Sequence, residues 1–170
     1  MSIKIKNIQG ELDSITGNVL SFDFGEKRIG VAIGNNVTKT SHPLETIDTP
    51  VNTKRYIAIE KLILQWSPIV IVIGFPLNED GSSSRLTALV KKFASKIKNK
   101  FDIKISLIDE RFTSIEAEIL LKETDANVKK RKSVIDQVAA QIILTSFFEG
   151  AEHVVTWPTR SYSPNAQSYY

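Results

Sequence analysis

A chain of 170 residues, 42% apolar and without long low-complexity tracts, has room for one sizeable hydrophobic core but not two, so a single domain is expected. It contains no cysteine, which excludes disulfides, thiolate nucleophiles and zinc–thiolate centres, so any metal must be held by oxygen or histidine; His42 and His153 lack ligand-like spacing and are assigned no role. A net charge of +3 does not by itself announce a nucleic-acid ligand, and neither the longest apolar run, around Ile69 to Ile73, nor the polar start Met1-Ser-Ile-Lys-Ile-Lys offers a membrane span or secretory signal, so a cytoplasmic protein with no membrane partner is expected.

In chain order, residues 1–18 are polar and weakly patterned and form a leader or extension. The apolar run Val19 to Phe24, the turn signal Gly25-Glu26-Lys27-Arg28 and the run Ile29 to Ile33 predict a β-hairpin, with Pro43 to Ile47 as a third strand. Tyr56, Ile59, Leu62, Ile63 and Trp66 recur at helical spacing, and Pro68 stops that helix. The β-branched run Ile69 to Ile73 predicts a central strand covered on both faces. It empties into a loop from Gly74 through Pro76 and Gly81 to Ser84, where α/β folds keep ligands. A helix follows from Arg85 to about Lys98, with Leu86, Leu89, Val90, Phe93 and Ile97 inward, and then a strand from Ile103 to Ile108. Thr113-Ser-Ile-Glu116 resembles a capping box opening a helix to about Glu123, and Ser133-Val-Ile-Asp136 resembles a second one opening the last helix, which Gly150 closes. Residues 151–170 read as a tail, leaving a domain at 19–150. A hairpin followed by strands alternating with helices describes an α/β layer on a mixed sheet.

Three acids fall at element ends: Asp23 closing the first strand, Glu110 just past the last, and Asp136 opening the final helix. Carboxylates about 4 Å apart repel by roughly 1 kcal/mol per pair in water and about 4 at an effective dielectric of 20. A divalent cation such as Mg²⁺, which favours oxygen ligands and is commonly completed by phosphate, relieves that repulsion. Each acid also has a plain role, since Asp23 suits a turn, Glu110 can pair with Arg111, and Asp136 fits the N3 slot of a cap. Lys27, Arg28, Arg85 and Arg111 adjoin these positions, and Lys129-Lys130-Arg131-Lys132 is an unbroken basic run upstream of Asp136, so these eight residues are candidate contacts for substrate phosphates. No aromatic platform for stacking bases is evident, which favours recognition of backbone and shape over sequence.

Phe22-Asp-Phe-Gly-Glu-Lys-Arg-Ile-Gly-Val-Ala32, Ile73-Gly-Phe-Pro-Leu-Asn-Glu-Asp-Gly81, Asp109-Glu-Arg-Phe-Thr-Ser114 and Asp136-Gln-Val-Ala-Ala140, in this order and spacing, resemble the YqgF/RuvX family of pre-ribosomal-RNA nucleases and Holliday junction resolvases. The resemblance covers about residues 19 to 150. It implies a ribonuclease H-like fold, a five-stranded mixed sheet flanked by helices and antiparallel through its first three strands. Asp23, Glu110 and Asp136 would be its catalytic, metal-binding trio, holding one or two Mg²⁺ or Mn²⁺ ions for hydrolysis that leaves a 5′ phosphate. In several related resolvases an acid follows the fourth strand, where this chain has Gly74-Phe75, so Glu79 or Asp80 could serve in place of Glu110. The implied partner is nucleic acid: the 5′ side of small-subunit ribosomal RNA precursors, in or out of precursor particles, or alternatively four-way DNA. A monomer suffices for the first and a homodimer suits the second. Two rivals stand beside this reading. Asp23-Phe24-Gly25 also resembles the phosphate turn of actin-like ATPases, which need two such lobes, and the same domain type occurs as a non-catalytic nucleic-acid-binding module.

Overall fold

The structure, a computed structural model, describes residues 14–110, 128–150 and 153–155. Its strands are β1 (Asn18–Phe24), β2 (Arg28–Asn35), β3 (Thr40–Asp48), β4 (Val70–Phe75), β5 (Ile105–Asp109) and β6 (His153–Val155). Its helices are α1 (Asn52–Trp66), α2 (Arg85–Phe101) and α3 (Val128–Phe148). The strands form one sheet in the order β3-β2-β1-β4-β5-β6. β1, β2 and β3 pair antiparallel, β4 and β5 run parallel to β1, and β6 returns antiparallel to β5. The five expected strands are present in the expected sense. The sheet also continues past the boundary expected at 150, through the short sixth strand at its edge.

Strand alternation divides the core in two. Leu20, Phe22, Ile29, Val31, Ile71, Ile73 and Leu107 point to one face, where Ile59 and Leu62 of α1 and Val90, Phe93, Ala94 and Ile97 of α2 cover them. Val19, Ala32, Val70, Val72 and Ile108 point to the other face, against Ala140, Ile143, Leu144 and Phe147 of α3. Val70 to Ile73 are wholly buried because both faces are covered, and each contributes about 1.5–3 kcal/mol by leaving water.

The helix ends follow local chemistry. Pro68 disfavours helical geometry at Ser67, which turns left-handed (φ 43°) and donates its N–H to the Ile63 carbonyl at 2.8 Å. Ser84 caps α2 reciprocally with Thr87, so the serine-rich turn before Arg85 serves as a helix cap. Gly150, at φ 80°, follows the end of α3.

The start of the last helix differs from the expectation. Ser133 does not open it, because the helix is already formed at Val128; the Ser133 hydroxyl instead donates to Thr46 Oγ1 at 3.0 Å, tying α3 to β3. Asp136 therefore lies in the third turn counted from Val128, its place set by packing rather than by a cap. The helix expected at 113–123 lies outside the described residues.

α3 crosses the sheet where side chains are smallest. Ser21 donates to the Ala140 carbonyl at 2.5 Å, Ala32 is buried beneath the helix, and a β-carbon on Gly30 would collide with the Asp136 carbonyl oxygen. Gly30→Ala should therefore destabilise the protein by about 2 kcal/mol, the usual cost of overpacking, read as a lower urea midpoint. An unchanged midpoint would mean that α3 can retreat without penalty.

Candidate active site

The three acids converge on the α3 side of the sheet. Asp23 stands directly opposite Gly30 in the β1–β2 ladder, so its side chain shares the face on which α3 lies. Ser106, Ile108 and Glu110 alternate onto that same face as β5 ends, and the Glu110 N–H donates to the Phe75 carbonyl at 3.2 Å. The Glu110 carboxyl lies over Gly74, where a β-carbon would strike Oε1. The glycine that departs from the pattern of related resolvases thus makes the space into which Glu110 reaches. Glu79 and Asp80 are exposed in the loop beyond, with Asp80 Oδ1 accepting the Ser82 N–H at 2.9 Å.

Asp23 and Glu110 hydrogen-bond each other through their carboxyls. Burial, reinforced by the charge of Asp136, pushes Asp23 from an ordinary 3.8 up to about 6. Burial first, and then the charge of Asp23, holds Glu110 well above the usual carboxylate range. Both carboxyls of the pair are thus shifted in the direction that favours keeping a proton. Asp136 is neutralised differently: Arg28 Nε donates to its Oδ2 at 2.6 Å. With Asp136 so engaged, no three His, Cys, Asp or Glu side chains among the described residues are gathered into a metal cage.

The turn from Gly25 to Arg28 is pinned by all three helices. Arg85, at the start of α2, forms a two-point ion pair with Glu26 at 2.8 and 3.2 Å. Asp136 of α3 holds Arg28, and Arg55 of α1 donates to the Gly25 carbonyl at 2.7 Å. Of the candidate phosphate contacts, Lys27 is exposed beside the site, and Lys130, Arg131 and Lys132 are exposed near the start of α3. Arg85 is already paired with Glu26, and Arg111 and the side chain of Lys129 lie outside the described residues. Arg55 is the residue that sequence reading passed over. The signal was present, because position 55 falls on the same helical stripe as Ile59 and Leu62, where a charge is out of place.

A mixed sheet that opens with three antiparallel strands, continues in parallel and gathers carboxylates where β1, β5 and α3 meet defines a protein of the ribonuclease H-like class. Within that class the chain belongs to the RuvX family, whose profile, described as Holliday junction resolvase, matches residues 17–150. A "Putative pre-16S rRNA nuclease" of Methylobacillus flagellatus is 49% identical over 137 residues, spanning 81% of this chain and 94% of the relative. A relative of the same name in Dechloromonas aromatica is 45% identical over 139 residues, 82% of this chain and 95% of its own. Among solved structures, Fowlpox virus resolvase in complex with Holliday junction DNA shares the fold at a TM-score of 0.50, with 19% identity over 78% of this chain and 97% of that one.

The carboxyl pair makes a pH prediction for metal-free protein. Because the folded pKa of Asp23 exceeds its unfolded value, the native state binds the extra proton. Stability therefore falls as pH rises through about 4 to 6 and stays lower above that window, with Glu110 acting in the same direction. Asp23→Asn, which keeps the shape without the charge, should raise the melting temperature of metal-free protein at pH 8 by roughly 5 °C and leave it nearly unchanged at pH 4. An equal shift at both pH values would show that the ionised pair carries no such penalty.

Proposed function

We propose that this protein is a divalent-cation-dependent phosphodiesterase that trims the 5′ side of small-subunit ribosomal RNA precursors. The observation that carries the reading is the convergence of Asp23, Glu110 and Asp136 on one face of a ribonuclease H-like sheet. The names of the two bacterial relatives support the choice of substrate.

The donor set fits a hard cation: it offers only carboxylate oxygens, and two of its members are half-buried side by side, where the charged form is disfavoured. Asp23, Glu110 and Asp136 would hold one or two Mg²⁺ or Mn²⁺ ions, Asp136 doing so on leaving Arg28. Such ions supply charge neutralisation for an in-line displacement at phosphorus. The chain's own residues do the rest. Asp23 and Glu110, fixed on strand ends, orient the attacking water and the phosphate. Arg28 and Lys27 sit at the mouth to meet phosphate oxygens, with Arg85 and Arg111 as further contacts. Lys129, Lys130, Arg131 and Lys132 carry the flanking backbone toward Asp136.

A second reading, resolution of four-way DNA, is favoured by the description of the matching family. It requires two sites about a two-fold axis. Incubation with Mg²⁺ or Mn²⁺ and either an unprocessed ribosomal RNA leader or a four-way junction separates the two. Leader cleavage that drops roughly 100-fold or more in Asp23→Asn is expected. Paired symmetric nicks in the junction would reverse the ranking, and binding without cleavage of either would leave a nucleic-acid-binding module. Replacing Lys129, Lys130, Arg131 and Lys132 by Ala should flatten the log–log salt dependence of RNA binding by about 0.7 for each phosphate that is no longer neutralised. An unchanged slope removes the basic run from the interface.

A further inference from the structure

We propose that Arg55 is a positioning residue for the candidate site: from inside the core it fixes the Gly25–Arg28 turn, and so sets Asp23 and Arg28 against Glu110 and Asp136. The role assigned to the site rests on the nuclease reading above; the geometry does not.

Arg55 is 3% exposed, on the buried stripe of α1. A guanidinium is always charged at ordinary pH, and taking it out of water is unfavourable unless its donors find partners. Nε donates to the Thr49 carbonyl at 2.6 Å, Nη2 donates to the Gly25 carbonyl at 2.7 Å, and the cation lies 5.4 Å from the ring centroid of Phe24. Its partners are thus the link between β3 and α1, the last residue of β1 and the first residue of the turn.

The Gly25 peptide is held on both sides. Its N–H donates to the Arg28 carbonyl at 2.8 Å, closing the turn, while its carbonyl accepts from Arg55. A side chain at this position would crowd the Arg28 carbonyl, 2.7 Å from the place of a β-carbon. Asp23 lies two residues before Gly25, and Arg28 leaves the turn to reach Asp136. Of the other two external ties on the turn, Glu26 to Arg85 joins side chains 49% and 77% exposed, and such solvated pairs hold position weakly, while Arg28 to Asp136 joins side chains 28% and 19% exposed that belong to the site itself. Arg55 is the buried tie. If the position served only to fill the core, an apolar side chain of similar length would do so without burying a charge; a fork of donors is needed where two backbone carbonyls must be held at a set separation.

The test compares the full-length wild type with Arg55→Met, which keeps the bulk, and Arg55→Lys, which restores the charge but not the fork. Three readouts are taken: hydrogen exchange of the Gly25 amide by NMR, Mn²⁺ affinity by calorimetry, and kcat and KM on the RNA leader. For Arg55→Met the expected result is Gly25 exchange at least tenfold faster with β4 amides unchanged, Mn²⁺ affinity at least fivefold weaker, and kcat at least tenfold lower with KM within twofold. Partial recovery is expected in Arg55→Lys, which carries the test alone if the methionine variant does not fold. A lower melting temperature with all three readouts at wild-type values would overturn the proposal and leave Arg55 a packing residue. A wild type that cuts no RNA would overturn the nuclease reading instead, and Gly25 exchange would still decide the role of Arg55.

Discussion

The architecture depends on how closely α3 can approach the sheet. Helix and sheet normally keep the distance that their side chains impose, but Ser21, Gly30, Ala32 and Gly74 leave little to hold the helix away. Ser21 bonds directly to the α3 backbone at Ala140, and the Asp136 carbonyl occupies the space that a β-carbon on Gly30 would need. One stripe of α3, Asp136, Ala140, Ile143 and Phe147, thereby carries both the packing surface and the acid. Larger residues on this face of β1, β2 or β4 would separate the carboxylates before any chemistry was considered.

The two faces of the sheet consequently divide the work. The face under α1 and α2 is filled by large apolar side chains, with Phe93 in ring contact with Phe22, Phe24 and Tyr56. Stability comes chiefly from there. At its open end the α3 face carries a carboxyl pair that burial disfavours in its charged form and a third acid held by Arg28. Local destabilisation of this kind persists only where the surrounding fold over-determines it. Here the constraint comes through the Gly25–Arg28 turn, which each of the three helices touches with one side chain.

Strands and helices were legible where a single local signal dominated. The β-branched run at β4 and the apolar stripes of α1 and α2 needed no tertiary information, and the ordered motifs around Asp23, Gly74, Glu110 and Asp136 identified the family on their own. The reading failed where two local explanations fitted equally well. Ser133 and Asp136 have the spacing of a capping box, yet the helix runs past them, because Thr46 on a strand 87 residues away supplies Ser133 with its partner. Gly74 and Arg55 gain their roles only in the fold, because the groups they serve, the Glu110 carboxyl and the Gly25 carbonyl, are distant in sequence.

The sequence by itself determined the α/β class and the family, whose resemblance carried the five-stranded mixed sheet, and it singled out the three acids in question. Tertiary structure alone decided that these acids share one face, that burial pushes the Asp23 and Glu110 carboxyls upward while Asp136 is held by Arg28, and that a buried arginine holds the turn between them. The physical reason is range: propensity and periodicity are properties of neighbours along the chain, whereas burial, charge coupling and close backbone approach arise between residues that only folding brings together.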